Sequence, residues 1–247
     1  MNRHIPAVAP RFHGRRHGRK LRAGRQDLVR SLLPRLRVPI SDDGVALDPR
    51  TAFDRPTAPV WLEIGFGCGE HLFHRAAASP DIGFIGCEPF VNGVANLLAR
   101  VAEADLHNVR IFDDDARLLL PRLAEASVER IFLLFSDPWP KKRHHRRRFL
   151  SPETLDKLAN ILADGGQIWV ASDHMGSVAW TLQHATRHRA FRWLARRPDD
   201  WRRRPQDWIP TRYESKALAA GGKCAYLRFE RCPRREYGVQ RGKLLVP

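Results

Sequence analysis

Four carboxylates stand where short apolar runs give way to loops, and their order along the chain is the first sign of chemistry. Glu63 lies just before Gly65, Gly67 and Gly69, and Glu88 follows Gly69 by nineteen residues. Asp115 closes an Asp113-Asp114-Asp115 triplet, and Asp137 opens Asp137-Pro138-Trp139-Pro140. Glycines let the main chain turn tightly and let a ligand approach it closely. The spacing is G-x-G-x-G rather than the G-x-G-x-x-G of dinucleotide enzymes. A carboxylate at Glu88 can accept hydrogen bonds from both hydroxyls of a ribose, and one at Asp115 from the amino group of an adenine. The glycine loop, Glu88 and Asp115 together point to a cofactor that contains adenosine. They leave open whether it is a nicotinamide cofactor or S-adenosylmethionine.

Asp137 sits in a stiffer loop. Pro138 and Pro140 restrict the backbone, and Trp139 offers a face on which a base can stack. A basic run begins at the next residue: Lys141, Lys142, Arg143, His144, His145, Arg146, Arg147 and Arg148. The chain of 247 residues carries 43 Lys plus Arg against 27 Asp plus Glu, a net +16. Residues 1–37 hold eleven basic residues and one acid, Asp27, so +10 of that charge lies in one segment. Charge clustered in this way attracts a polyanion, and nucleic acid is the usual one. The His144-His145 pair reads as part of this surface rather than as a metal site. Cys68, Cys87, Cys224 and Cys232 form no C-x-x-C pair, and no Cys/His grouping has zinc spacing. No metal is therefore expected, and a reduced, cytoplasmic setting fits. No apolar run is long enough for a membrane span, and the N-terminus lacks the apolar stretch of a secretory signal. Its Arg-rich, acid-poor character is that of a mitochondrial presequence, but its prolines, its glycines and the scarcity of serine count against one.

The elements that must position these groups alternate. A strand at 60–64 follows a turn region at 56–59. A helix at 70–78, a strand at 82–87, a helix at 92–104, a strand at 109–112 and a short helix at 116–123 come next. Residues 131–135 form a continuous apolar run, as expected of a strand buried on both faces. A helix at 152–162 has Ser151 as its N-cap and ends at Gly165-Gly166, before a strand at 167–172. Two later stretches, 191–195 and 224–229, suit an antiparallel hairpin at the sheet edge. The pattern implies an α/β fold with a doubly wound, mostly parallel sheet. Ligands in such sheets bind at the carboxyl ends of the strands. The glycine loop, Glu88, Asp115, residues 136–140 and Asp173 all fall there. Residues 1–50 read as a basic arm without a core-forming pattern, partly disordered and mobile without RNA. Residues 51–247 read as one domain.

These motifs resemble the bacterial-type tRNA (guanine-N7-)-methyltransferase family. The matching stretches are 63–69, Gly86-Cys87-Glu88, Asp115-Ala116, Asp137-Pro138-Trp139-Pro140-Lys141 with residues 143–148, Ala171-Ser172-Asp173, and 211–216. They span residues 60–230. The Asp-Pro-Trp-Pro-Lys motif with its basic run, and Thr211-Arg212-Tyr213-Glu214, are the most specific. Residues 11–25 are more weakly similar to the family's basic N-terminal segment. The resemblance implies a Rossmann-like class I methyltransferase fold, S-adenosylmethionine as donor and tRNA as substrate, methylated on guanine 46 of the variable loop. It implies that Glu63, Glu88, Asp115 and Asp137 line the cofactor pocket around the glycines. Lys141, Asp173, Thr211, Arg212, Tyr213 and Glu214 are then expected to contact the guanosine. Arg143, His144, His145, Arg146, Arg147 and Arg148 are expected to contact tRNA. Ser136 departs from the family, which usually has proline there. A monomer or a homodimer is expected.

Guanine N7 carries an available lone pair and no proton, so this chemistry needs no strong base. In-line positioning and electrostatic complementarity must supply the rate. Methylation leaves a positive charge on the purine, which Asp137 or Asp173 would stabilise; Asp137 is taken as the catalytic residue. The N1-H and exocyclic amine of guanine are donors, and Glu214 or Asp173 could accept from them and so reject adenine. Trp193 and Trp201, among the arginines of 192–204, could stack on bases, although core packing for Trp193 and a solvated loop for Trp201 are favoured. An amino-group methyltransferase acting on another base or on protein would carry Asp/Asn-Pro-Pro-aromatic in place of Asp-Pro-Trp-Pro. An RNA-binding module without catalysis would not require all the strand-end acids.

Overall fold

The structure is a computed structural model that describes residues 11–41, 43–54 and 59–235. Most of the turn region at 56–59 lies outside the described residues, as do the first ten residues of the arm.

Seven strands form one sheet: β1 (Val60–Ile64), β2 (Gly83–Cys87), β3 (Val109–Phe112), β4 (Val128–Leu134), β5 (Leu162–Ser172), β6 (Phe191–Trp193) and β7 (Ala225–Arg231). Their order is β3-β2-β1-β4-β5-β7-β6. The first five are parallel, and β7 is antiparallel to both of its neighbours. The hairpin is therefore at the edge as expected, with β7 inserted between β5 and β6. Ala225, Tyr226, Leu227 and Phe229 are all buried, which suits β7 to the inner position. Side chains alternate with the period of two that strands impose. Ile131 and Leu133 of β4, with Ile168 and Val170 of β5, enter the principal core. Phe132, Leu134, Trp169 and Ala171 enter a separate cluster on the opposite face.

Part of the expected mobile arm is folded. Residues Ala23–Ser31 form α1 and Leu33–Leu36 form α2. Leu33 and Leu36 are buried in one cluster with Leu97 and Leu98, and Leu28, Val29 and Leu32 pack against it. The next residues are tied to the sheet, because Val38 N donates to Ile111 O at 2.9 Å. The apolar stripe is short and interleaved with arginines, so the charge masks it in the sequence.

α3 (Glu70–Ala78) and α4 (Val91–Glu103) cover the face that carries this cluster. α5 (Ala116–Leu119), α6 (Pro152–Ile161) and α7 (Met175–Ala185) pack on the principal core, and α8 (Asp199–Arg202) and α9 (Arg212–Ala219) precede β7. Ser151 caps α6 in a capping box with Thr154, an arrangement worth about 0.5–2 kcal/mol. The Gly165-Gly166 pair does not end α6. β5 begins at Leu162, and its register on β4 jumps from Val128↔Leu162 to Arg130↔Gln167. The glycines lie in that excursion, where a Cβ on Gly166 would stand 2.8 Å from Ala163 O and 2.9 Å from Glu129 O. Trp193 and Trp201 both pack against the principal core. Trp201 belongs to α8 rather than to a solvated loop.

Candidate active site

The carboxyl ends of β1, β2, β3 and β4 open on a single cleft of about 520 Å³, lined by Glu63, Gly65, Gly67, Glu88, Asp115 and Asp137 among others. That volume is in the range of small-molecule sites. Gly69 lies just beyond it and caps α3 at φ 77°. A Cβ there would meet Leu97 at 2.9 Å, and one on Gly93 of α4 would meet Gly67 O at 2.2 Å. The loop is thus wedged between two helices, and close backbone packing demands these two glycines.

Glu88 is 8% exposed. Its Oε2 accepts from Gly67 N at 2.8 Å and its Oε1 from Phe90 N at 3.0 Å. Each oxygen retains a lone pair for a further donor. Burial pushes its pKa above the ordinary glutamate value; the two N–H groups oppose the rise, and the Asp137 and Glu63 carboxylates add to it. Glu63 Oε2 accepts from His71 Nδ1 at 2.7 Å. Among the described residues no protein donor pairs with its Oε1. Asp115 is more heavily engaged. Arg117 donates to its Oδ1 from N and Nε, both at 3.0 Å, and to Oδ2 from Nη2 at 2.5 Å. An adenine amino group would have to share Asp115 with Arg117. The acceptor set fits S-adenosylmethionine: a diol acceptor at Glu88, an acceptor for the amino-acid ammonium at Glu63, and apolar surface from Phe90 and Ala116 beside them. Among the described residues no group of three or more His, Cys, Asp or Glu is placed to hold a metal ion.

Asp137 is an exposed residue on the wall of this cleft. Its loop is bracketed by Phe135 at φ 51° and Trp139 at φ 43°. Positive φ in a bulky residue is rare, costs about 1–3 kcal/mol, and persists only where the surroundings fix it. The Arg147 guanidinium lies 4.9 Å over the Trp139 ring, and His13 and His144 meet that ring edge-on. Desolvation, and then the charge of Arg147, hold both histidines below the usual imidazole range.

α9 brings Thr211 and Tyr213 to the same cleft. The Tyr213 ring stands 3.6 Å from where a Gly67 Cβ would be. Thr211 caps the helix by accepting from Glu214 N at 3.1 Å. Glu214 itself, expected on the guanosine, is 0% exposed. Its oxygens accept from Thr211 N at 3.4 Å, from Arg204 Nη1 at 3.2 Å and from the Tyr226 hydroxyl. Glu214 is therefore committed to holding the start of α9. Burial, reinforced by this carboxylate, pushes the Tyr226 hydroxyl pKa up. Arg212 reaches Cys68 Sγ at 3.4 Å. Lys141 and Asp173 are exposed and lie outside the cleft lining.

The basic run winds into a 3-10 turn, Lys142–Arg147. Arg143 and Arg146 are exposed, His144 and His145 half-buried, and Arg147 reaches the cleft wall. Arg148 breaks the expected pattern: it is 6% exposed and donates inward to Pro138 O at 2.8 Å. Sequence reasoning also passed over His71, Arg204, Tyr226 and the cleft residues Phe12 and His13. Only His71 carried a usable signal, a histidine at the start of the helix that follows the glycine loop.

Comparison with known proteins accords with this geometry. A family model described as "Putative methyltransferase" matches residues 57–227. The chain is 53% identical over 231 residues to a tRNA (guanine-N(7)-)-methyltransferase of Rhodospirillum rubrum, covering 93% of this chain and 91% of that one. It is 47% identical to one of Paramagnetospirillum magneticum, covering 92% of this chain and 95% of that one. Among solved structures, an antibiotic-resistance methyltransferase, Kmr, shares the fold with a TM-score of 0.51 at 16% identity, covering 72% of this chain and 88% of that one.

Proposed function

The chain belongs to the tRNA (guanine-N7-)-methyltransferase family, and from that premise we propose that it transfers a methyl group from S-adenosylmethionine to N7 of guanine 46 in the variable loop of tRNA. The observation that carries this reading is convergence. The glycine loop with Glu63 and Glu88, the Asp137–Trp139 loop and the capped start of α9 all meet in one cleft. S-adenosylmethionine, when bound, supplies an electrophilic methyl on its sulfonium sulfur. Glu88 holds the ribose, Glu63 the ammonium group, and Asp115 shares its carboxylate between Arg117 and the adenine.

Guanine N7 needs no deprotonation, so the chain's task is to place the base and to stabilise the charge it gains. Asp137 faces that charge. Trp139 stacks on the base, and Thr211 and Tyr213 close over it. Lys141, Asp173 and Arg212 hold the rest of the nucleoside. Glu214 acts indirectly, by fixing Thr211. Base edges inside A-form RNA are poorly accessible, so the target is a splayed base. Arg143, His144, His145, Arg146 and Arg147, with the basic arm, grip the phosphates around it. We place the reaction in the cytoplasm, carried out by a monomer or a homodimer. Among the described residues no helix is long and apolar enough to cross a membrane.

The test is transfer of labelled methyl to unmodified tRNA, followed by nucleoside analysis and mapping. Label in 7-methylguanosine at position 46 is expected. Label in another nucleoside, or in protein alone, would overturn the reading.

A further inference from the structure

The last arginine of the basic run is turned away from solvent, and its guanidinium bridges the loop that carries Asp137 and the helix α7 that follows Asp173. Arg148 Nε donates to Pro138 O at 2.8 Å and Nη2 to Trp139 O at 3.5 Å. Nη1 donates to Gly176 O at 3.0 Å. Pro138 and Trp139 follow Asp137 directly, and Gly176 lies in the first turn of α7, three residues after Asp173. The guanidinium also lies 5.4 Å over the Trp180 ring. Trp180 is itself fixed, since its Nε1 donates to Leu150 O at 2.6 Å.

Among the described residues no carboxylate pairs with Arg148. Its charge is met by carbonyl dipoles and the face of Trp180, and burial pulls its pKa below the ordinary guanidinium value. A lysine could not hold three carbonyls of a loop and a helix at once, because only the planar fork presents donors in that spread. The arrangement also accounts for the strained loop. Trp139 sits at φ 43°, and its own carbonyl is one of the three that Arg148 holds.

We propose that Arg148 is a positioning residue for methyl transfer: its guanidinium locks the Asp137–Trp139 loop to the first turn of α7 and so fixes the Asp137 and Asp173 loops relative to one another. Neighbours in the sequence thus divide the labour. Arg146 faces solvent, Arg147 covers Trp139, and Arg148 holds the loop from beneath. This inference rests on the methyltransferase reading above.

The experiment compares wild type, R148K, R148A and R146A. The measurements are kcat at saturating tRNA, S-adenosylmethionine affinity, thermal midpoint, and the slope of log tRNA affinity against log salt. R148K is expected to lose about tenfold to a hundredfold in kcat, the scale of a misplaced reacting group. Its salt slope and cofactor affinity should remain those of wild type. R146A should flatten the slope by roughly one, as expected when a side chain no longer neutralises a phosphate. Added methylguanidinium should restore part of the turnover of R148A. A wild-type kcat in R148K with a slope flattened by one would mean that Arg148 binds phosphate and would overturn the proposal. Parallel loss of kcat, cofactor affinity and thermal midpoint, with no rescue by methylguanidinium, would reduce it to general stability and overturn it equally. Wild-type protein that methylates no tRNA guanine would instead bring down the functional reading, and that control is run first.

Discussion

His71 Nδ1 lies 2.7 Å from Glu63 Oε2, and both side chains are almost fully buried, at 2% and 6% exposure. The contact continues outward. Arg75 Nε donates to His71 Nε2 at 3.4 Å, and Arg75 Nη2 donates to Asp207 O. A guanidinium can only donate, so Nε2 accepts and Nδ1 carries the proton given to Glu63. Trp208, next to Asp207, stacks on Trp169 at 5.2 Å. The acid at the end of β1 is therefore aimed by a chain of contacts that ends in the segment leading to α9.

The first prediction follows from that chain. H71L leaves the buried Glu63 carboxylate without its donor, and a hydrogen bond to a charged group is worth about 1.5–3 kcal/mol. Cofactor affinity should fall on the order of tenfold to a hundredfold. H71N places an amide N–H near the position of Nδ1 and should recover much of the loss. Calorimetric titration of both variants checks this, and equal affinities in H71L and wild type would remove His71 from the site.

Glu88 gives a pH prediction. Its pKa is raised chiefly by burial. Ionising it in the folded protein is therefore costly, so its contribution to stability is greatest at low pH and is lost as pH rises through the raised value. Cofactor binding runs the other way. In the proposed pose, ribose hydroxyls donating to the carboxylate would pull the pKa down, so affinity should rise with pH through the interval just above the ordinary glutamate value, with release of a proton. Calorimetry in buffers of different ionisation heat measures that release. E88Q should abolish it and should also weaken binding; proton release that persists in E88Q would assign it to another group.

Asp137 should separate chemistry from binding. D137N keeps the loop shape and removes the charge proposed to face the methylated purine. Turnover should fall on the order of a hundredfold, as when a preorganised electrostatic partner is removed. Cofactor and tRNA affinity should change little. Single-turnover methylation under saturating conditions is the measurement, and full activity in D137N would leave the residue a structural role alone.

The strand-end acids were readable because a parallel sheet gathers its loops at one edge, so strand positions alone group Glu63, Glu88, Asp115 and Asp137. Residues whose role depends on orientation were not readable. Arg146 and Arg148 have the same side chain two positions apart, yet one is exposed and the other points into the protein. Glu214 was expected to contact the guanosine, but only the folded packing shows that Tyr226 of β7 and Arg204 engage its carboxylate, which is fully buried. The α1–α2 stripe is hidden because five apolar residues among arginines are too few to outweigh the charge. Asp115 looks free in sequence because nothing there says that Arg117 folds back on it.

The N-terminal segment yields the last prediction, and here the geometry alters the expectation. Residues 11–19 are clipped along the rim of the cofactor cleft. Arg16 O accepts from Val91 N at 2.9 Å, and Gly18 N donates to Asn92 Oδ1 at 2.7 Å. Asn92 Nδ2 in turn donates to Arg19 O at 2.7 Å. Arg16 pairs with Asp114 at 2.6 Å, and Arg117, which holds Asp115, donates to Arg11 O at 3.1 Å. Phe12 and His13 line the cleft itself. Deleting residues 1–20 removes six basic residues but leaves α1 and α2 in place. The fold should survive, since Leu33 and Leu36 still pack on Leu97 and Leu98. Binding of tRNA should weaken, and its salt dependence should flatten by roughly one for each phosphate that the segment neutralises. Cofactor affinity should fall as well, by several-fold, because one wall of the cleft and the hydrogen bond that steadies Arg117 go with the segment. Deleting residues 1–37 should unfold the protein, because it exposes the apolar cluster on α4. The decisive comparison is S-adenosylmethionine affinity of the shorter deletion, measured without RNA, against wild type. If the two agree while tRNA binding still falls, residues 11–19 recruit RNA only and take no part in holding the cofactor.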